Sequence, residues 1–210
     1  MKLGPGEPEV AAWNVIGITE LIARVLPSSS DNVARVLAVD GRSGGGKSTL
    51  ARRIGQAIPR SVVVHTDDVA WHHSFFDWQE LMIDGILKPI ASGQGVAYRP
   101  SAWESRGRPG AIEVQADAPV VIVEGVGASR IEFTPWLTES IWIQSDLVEA
   151  ERRGLERDGG TAEAKRFWDE WMAAEFEFLK RQKPWRRARV IVNGTPMQPD
   201  DSEREVVVAA

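Results

Sequence analysis

The chain contains no cysteine, which excludes disulfides, thiolate metal sites and cysteine nucleophiles. Its longest apolar runs, such as residues 120–123, are far too short to span a bilayer. Residues 1–10, MKLGPGEPEV, lack the continuous apolar stretch of a signal peptide. Basic residues are not in excess. A formal net charge of −5 and a pI near 5.4 argue against a general binder of nucleic acid, whose phosphate backbone attracts basic surfaces. A cytoplasmic location is the expectation, with neither membrane nor nucleic acid as a partner. There is one tyrosine against nine tryptophans, and only three histidines.

What remains is ordinary for a globular chain: 210 residues, 43% hydrophobic and 26% charged. That length suits a single domain over residues 1–210, carrying an insertion and a loose tail at 199–210. Residues 1–8, rich in Gly and Pro, read as frayed. Over residues 10–26 the apolar positions Val15, Ile18, Leu21, Ile22 and Val25 share one helical face, so an amphipathic helix ended by Pro27 is expected. Five short β-branched runs follow, at residues 36–39, 62–64, 120–123, 141–143 and 190–192. They are continuous rather than alternating, the pattern of strands covered on both faces. Helical stretches lie between most of them, including 48–58 and 162–180. The pattern predicts a three-layer α/β fold, a parallel five-stranded sheet with helices on both sides. Residues 71–118 form a long insertion with a helix at 77–87. Two extended runs there, 96–98 and 111–114, are suited to a projecting hairpin.

The first run enters Gly41-Arg42-Ser43-Gly44-Gly45-Gly46-Lys47-Ser48, which satisfies the Walker A pattern between a strand and a helix. Its glycines let backbone N–H groups curl inward around phosphates without an obstructing Cβ. The helix that follows adds its dipole and free N–H groups to the same anion, with Thr49 in its first turn. Lys47 would reach the outer phosphates, and the Ser48 hydroxyl would ligate Mg²⁺.

In an open parallel sheet, ligands sit at the carboxyl ends of the strands. Two such ends carry acids: His65-Thr66-Asp67-Asp68 and Glu124-Gly125. Transfer of a phosphoryl group to a hydroxyl needs one carboxylate to accept its proton and another to hold Mg²⁺. Asp67 or Asp68 fits the first task, and Glu124, directly or through water, the second. A helix N-cap is the competing role for Asp68.

The series GRSGGGKST, HTDDVAW, VVIVEGVGA and ERRGLERD resembles the uridine kinase and phosphoribulokinase-like branch of the P-loop kinases, in order over residues 36–194. The resemblance implies ATP and Mg²⁺ as cofactors and a small-molecule acceptor. It implies that Asp67 is the catalytic base, with Asp68 its neighbour, and that residues 150–161 form an arginine lid carrying Arg153 and Arg157. It also places Asn193 beside the adenine. The chain departs from the family after Asp68, where Val69-Ala70-Trp71-His72-His73 replaces the usual aromatic signature, so uridine itself is not implied.

Arg152, Arg153 and Arg157 could equally form a solvated surface with Glu149, Glu151 and Glu156. Asp68 and, within the insertion, Trp71, Tyr98, Arg99 and Trp103 are the candidates for acceptor contact, through stacking faces and fixed charges. Arg106 and Arg108 would hold an acidic group or solvate the connector. Trp168 and Trp171, on a broad apolar stripe, are expected in the core, with the lining of a pocket as the alternative. His65, His72 and His73 lack the spacing of a zinc site. Three functions fit these residues: a kinase for a small-molecule hydroxyl such as a nucleoside-like compound, a nucleotide-binding regulatory protein, and an NTP hydrolase.

Overall fold

The five β-branched runs form the parallel centre of the sheet in the computed structural model, which describes residues 1–26, 33–195 and 203–210. In chain order the strands are β1 (Trp13–Gly17), β2 (Arg35–Gly41), β3 (Val62–His65), β4 (Val96–Tyr98), β5 (Ile112–Val114), β6 (Val120–Glu124), β7 (Glu139–Gln144), β8 (Val190–Asn193) and β9 (Glu205–Ala209). The α-helices are α1 (Ile18–Val25), α2 (Lys47–Ala57), α3 (Thr66–Ala70), α4 (Gln79–Met82), α5 (Lys88–Ala91), α6 (Ser101–Ser105), α7 (Leu147–Arg157) and α8 (Ala162–Gln182).

The main sheet runs β1-β9-β8-β7-β2-β6-β3. Strands β8, β7, β2, β6 and β3 are parallel, and β2 lies between β6 and β7. Successive residues of β2 point to opposite faces. Leu37 and Val39 meet Leu21, Val25, Leu50 and Ile54 of α1 and α2, while Val36 and Ala38 meet Trp78, Met82, Ile86 and Trp103 of the insertion. Helix α8 covers Trp142 of β7 through Phe178 and Leu179. The sheet is thus clad on both sides, which is why its strands read as unbroken apolar runs. Each fully buried Leu or Ile here contributes about 1.5–3 kcal/mol.

The chain's outer segments differ from expectation in several ways. The helix expected over residues 10–26 is a strand followed by a shorter helix, and the sheet has seven strands rather than five. Strand β1 pairs antiparallel with β9, from Trp13 opposite Ala209 to Gly17 opposite Glu205. Ile18 N–H then donates to Arg204 O at 2.7 Å where α1 begins. The helical spacing of Val15 and Ile18 was real but weaker than a β-strand partner at the far end of the sequence. The segment expected to be a loose tail therefore includes an edge-building strand, while its residues 199–202, like the helix stop at Pro27, lie outside the described residues. Residues 1–8 are docked rather than frayed: Lys2 O accepts from Leu147 N–H at 2.9 Å, and the Glu7 side chain is buried.

Within the insertion β4 and β5 pair antiparallel as a separate two-stranded sheet. The helical stretch ahead of it runs past residue 87 to Ala91 and contains a π-helical turn, Ile83–Leu87. That wide turn lies immediately before Pro89, whose ring and missing N–H disrupt regular α bonding.

Candidate active site

The carboxyl ends of β2, β3 and β6 open into one cavity of about 630 Å³. Its floor is the glycine loop between β2 and α2. Gly44 and Gly46 have φ of +71° and +95°, a region costly for any side chain. A Cβ on Gly44 would lie 2.0 Å from Ala150 O of α7, so the loop's tight seat on that helix also demands glycine. Lys47 is nearly buried, and its Nζ donates back to Arg42 O at 2.9 Å across the loop. Ser43, Gly44, Gly45, Gly46, Lys47, Ser48 and Thr49 all line the cavity. Gly41 stands behind it, its N–H bonded to Asp40 Oδ1.

Sheet register brings the acids to this floor. Glu124 ends β6 directly opposite Val39 of β2 and His65 of β3. Its Oε1 accepts from Ser48 Oγ at 3.2 Å and lies 2.5 Å from His65 Nδ1. Its Oε2 is buried with no hydrogen-bond partner. A buried, unshared carboxylate oxygen beside a serine hydroxyl suits a hard divalent cation such as Mg²⁺. Burial pushes the Glu124 carboxyl up, but the His65 hydrogen bond and the Lys47 charge outweigh it and leave it below the usual value. The same bond raises His65. Among the described residues no three His, Asp or Glu side chains gather into a metal-holding group.

These opposite shifts fix a pH window. Below the ordinary histidine value of 6.5 the raised His65 contributes its full stabilisation, which is lost as pH climbs through its folded value. The lowered Glu124 contributes above its ordinary 4.5 and loses its share as pH falls through its folded value. His65→Asn should therefore lower the unfolding temperature most between pH 4.5 and 6.5. The gap should narrow in more alkaline buffer. The effect is held to about 1 kcal/mol or less, because His65 is half exposed. Thermal melts of both proteins across pH check this; a gap that does not vary with pH would refute it.

Helix α3 starts directly after β3 and presents its two acids differently. Asp67 lines the cavity. Asp68 lies outside it, paired with Arg108 Nη2 at 2.5 Å. Arg108 sits 3.6 Å from the ring centre of Trp103 and 5.2 Å from that of Trp71, and Trp103 Nε1–H donates to Asp68 O at 2.9 Å. The connector thus holds the back of α3. Arg99 spans the same connector by donating to Gly110 O and Arg108 O, and Tyr98 packs over Gly85, facing a separate surface hollow. Of the four aromatic and basic residues expected at the acceptor, only Trp71 reaches the cavity; Tyr98, Arg99 and Trp103 do not.

The remaining wall comes from α7 and α8. Arg153 and Arg157 line the cavity, whereas Arg152 pairs with Glu149 and Glu156 at the surface. Arg153 Nη1 donates to Gly194 O at 2.7 Å, and Arg157 pairs with Asp158 at 2.8 Å. Phe75, Phe167, Trp168 and Trp171 complete an aromatic wall. Phe75 meets Trp171 and Phe167 edge to face, with ring centres 5.0 and 6.0 Å apart. Trp168 and Trp171 take both of their expected roles: Trp168 is buried against Gly154, and both rings line the cavity. Asn193 lies outside the cavity lining and accepts from Thr195 N–H at 2.8 Å.

No protein-family model and no curated protein matches the chain. Solved structures do. One, described as a "Possible Uridine Kinase" from Bacillus stearothermophilus, superposes with a TM-score of 0.58 at 21% identity, covering 83% of this chain and 96% of its own. The chain has a P-loop kinase fold. A candidate fructose transport system kinase from Silicibacter sp. TM1040 shares this kinase fold at a TM-score of 0.51 and 19% identity, over 83% of this chain and 93% of its own. No helix among the described residues is long and apolar enough to cross a membrane.

Proposed function

We propose that the protein is an ATP- and Mg²⁺-dependent kinase that phosphorylates a hydroxyl of a small, nucleoside-like molecule. The observation that carries this is that the glycine loop, Asp67, Glu124 and two arginines face a single cavity whose other wall is aromatic. The loop amides and Lys47 hold the nucleotide's outer phosphates. Ser48 and Glu124, directly or through water, would hold a Mg²⁺ ion, which would neutralise charge on the phosphates. Asp67 accepts the proton of the acceptor hydroxyl as its oxygen bonds to the terminal phosphorus and the bond to ADP breaks. Arg153 and Arg157 compensate the charge on the transferring group once Arg153 leaves Gly194 O and Glu149, to which its Nε also donates at 2.8 Å, and Arg157 leaves Asp158. Trp71 offers a face for a planar ring.

The test is ADP release from Mg·ATP with and without a panel of nucleosides, sugars and pantothenate-like alcohols. Stimulation by one class is the expected result and names the acceptor. Equal release with every compound and with none would make the protein an NTP hydrolase. Nucleotide binding without release would make it a regulatory switch.

A further inference from the structure

Glu175, on α8, is a carboxylate fully shielded from solvent that the phosphoryl-transfer scheme does not use. Its Oε2 accepts from the backbone N–H of Ser43 at 3.1 Å and from Trp171 Nε1–H at 2.9 Å. Its Oε1 faces Arg42 Nη1 at 3.5 Å. Arg42 is itself buried and is shared with Glu7, whose Oε2 accepts from Arg42 Nε at 3.1 Å. Burying a guanidinium between two carboxylates gains little stability over an apolar replacement of the same volume. The placement, however, is specific. Ser43 belongs to the glycine loop and Trp171 to the aromatic wall, and one oxygen atom holds both.

We propose that Glu175 is a positioning residue that couples the glycine loop to the aromatic wall, so that occupancy of the loop sets the orientation of Trp171. The inference rests on the loop being a nucleotide site. A single oxygen serving two donors divides its accepting strength between them, so a change in the Ser43 bond alters the Trp171 bond. A phosphate drawn into the loop draws on the backbone around Ser43. Trp171 then moves against Phe75 and Phe76, its two ring neighbours. Binding of the nucleotide thereby shapes the wall that meets the acceptor.

The experiment combines calorimetric titration with a non-hydrolysable Mg·ATP analogue and tryptophan emission, on wild type, Trp171→Phe and Glu175→Gln. Wild type should show binding heat together with an emission change, and Trp171→Phe should bind but lose that change. Glu175→Gln turns its one oxygen toward Ser43 and Trp171 as a neutral amide acceptor and puts a donor against Arg42. The shared bonds weaken, so it should bind about tenfold more weakly and its emission change should shrink by at least half. Heat with an emission change undiminished in Trp171→Phe, and so carried by Trp71 and Trp168 alone, overturns the coupling and leaves the nucleotide site standing. So does a Glu175→Gln protein that binds and responds like wild type. No heat with wild type overturns both. Should Glu175→Gln fail to fold by circular dichroism, Glu175→Asp, which keeps the charge but draws the carboxylate back from both donors, takes its place with the same two outcomes.

Discussion

Lys47→Ala should cut acceptor-stimulated ADP release by on the order of 10²–10³-fold while leaving the fold in place. The ammonium group donates to the carbonyl of Arg42 at 2.9 Å, within the loop that would receive phosphate, and its charge also acts on Glu124. Truncation removes that bond and part of a buried stem at the edge of an open cavity, so the melting temperature should move by only a few degrees. The loss at the transition state is larger, because a charge poised in a water-poor cavity meets a phosphoryl group whose own charge is spreading. Steady-state release with the best acceptor, beside a thermal melt, measures both. A rate within threefold of wild type would remove the loop from the chemistry.

Asp67→Asn should lower kcat by about 10²–10⁴-fold, the usual contribution of a positioned general base, with the acceptor KM changing far less. Asparagine keeps the size and the carbonyl oxygen but cannot take a proton. The informative comparison is with Asp68→Asn. Asp68 is engaged by Arg108 at the back of α3 and lies outside the cavity lining, so its loss should register in stability rather than in turnover. If Asp68→Asn instead proves the slower enzyme, the connector must swing away from α3 during the reaction and the assignment of the base reverses.

The sheet's centre and the glycine loop were legible because they are local. Val36 to Ser48 contains the strand, the turn and the helix start in one uninterrupted stretch, and each residue type there answers a steric or electrostatic demand of its own position. The carboxylates at 67 and 124 were legible for a related reason: a parallel strand's end is marked by the end of its β-branched run. Pairing across long stretches of sequence was not legible. Nothing near Val15 announces that Val207 will lie opposite it. Nor does Tyr98 reveal that the hairpin carries it away from the cavity while Arg108, ten residues on, returns to clasp Asp68. Trp168 and Trp171 show a further difficulty. A helix lying between a core and a cavity uses one broad apolar stripe for both, and periodicity does not separate the two faces.

The pairing of β1 with β9 has a consequence in time. These strands are contributed by opposite ends of the described chain, yet they close the same edge of the sheet. During synthesis, β2, β3, β6 and β7 can assemble with the glycine loop long before Glu205 leaves the ribosome, while Trp13–Gly17 waits without its neighbour. A ribosome-bound chain would hold its phosphate cradle early and carry an open strand edge until the end, the stage at which a newborn chain is most exposed to joining the wrong partner.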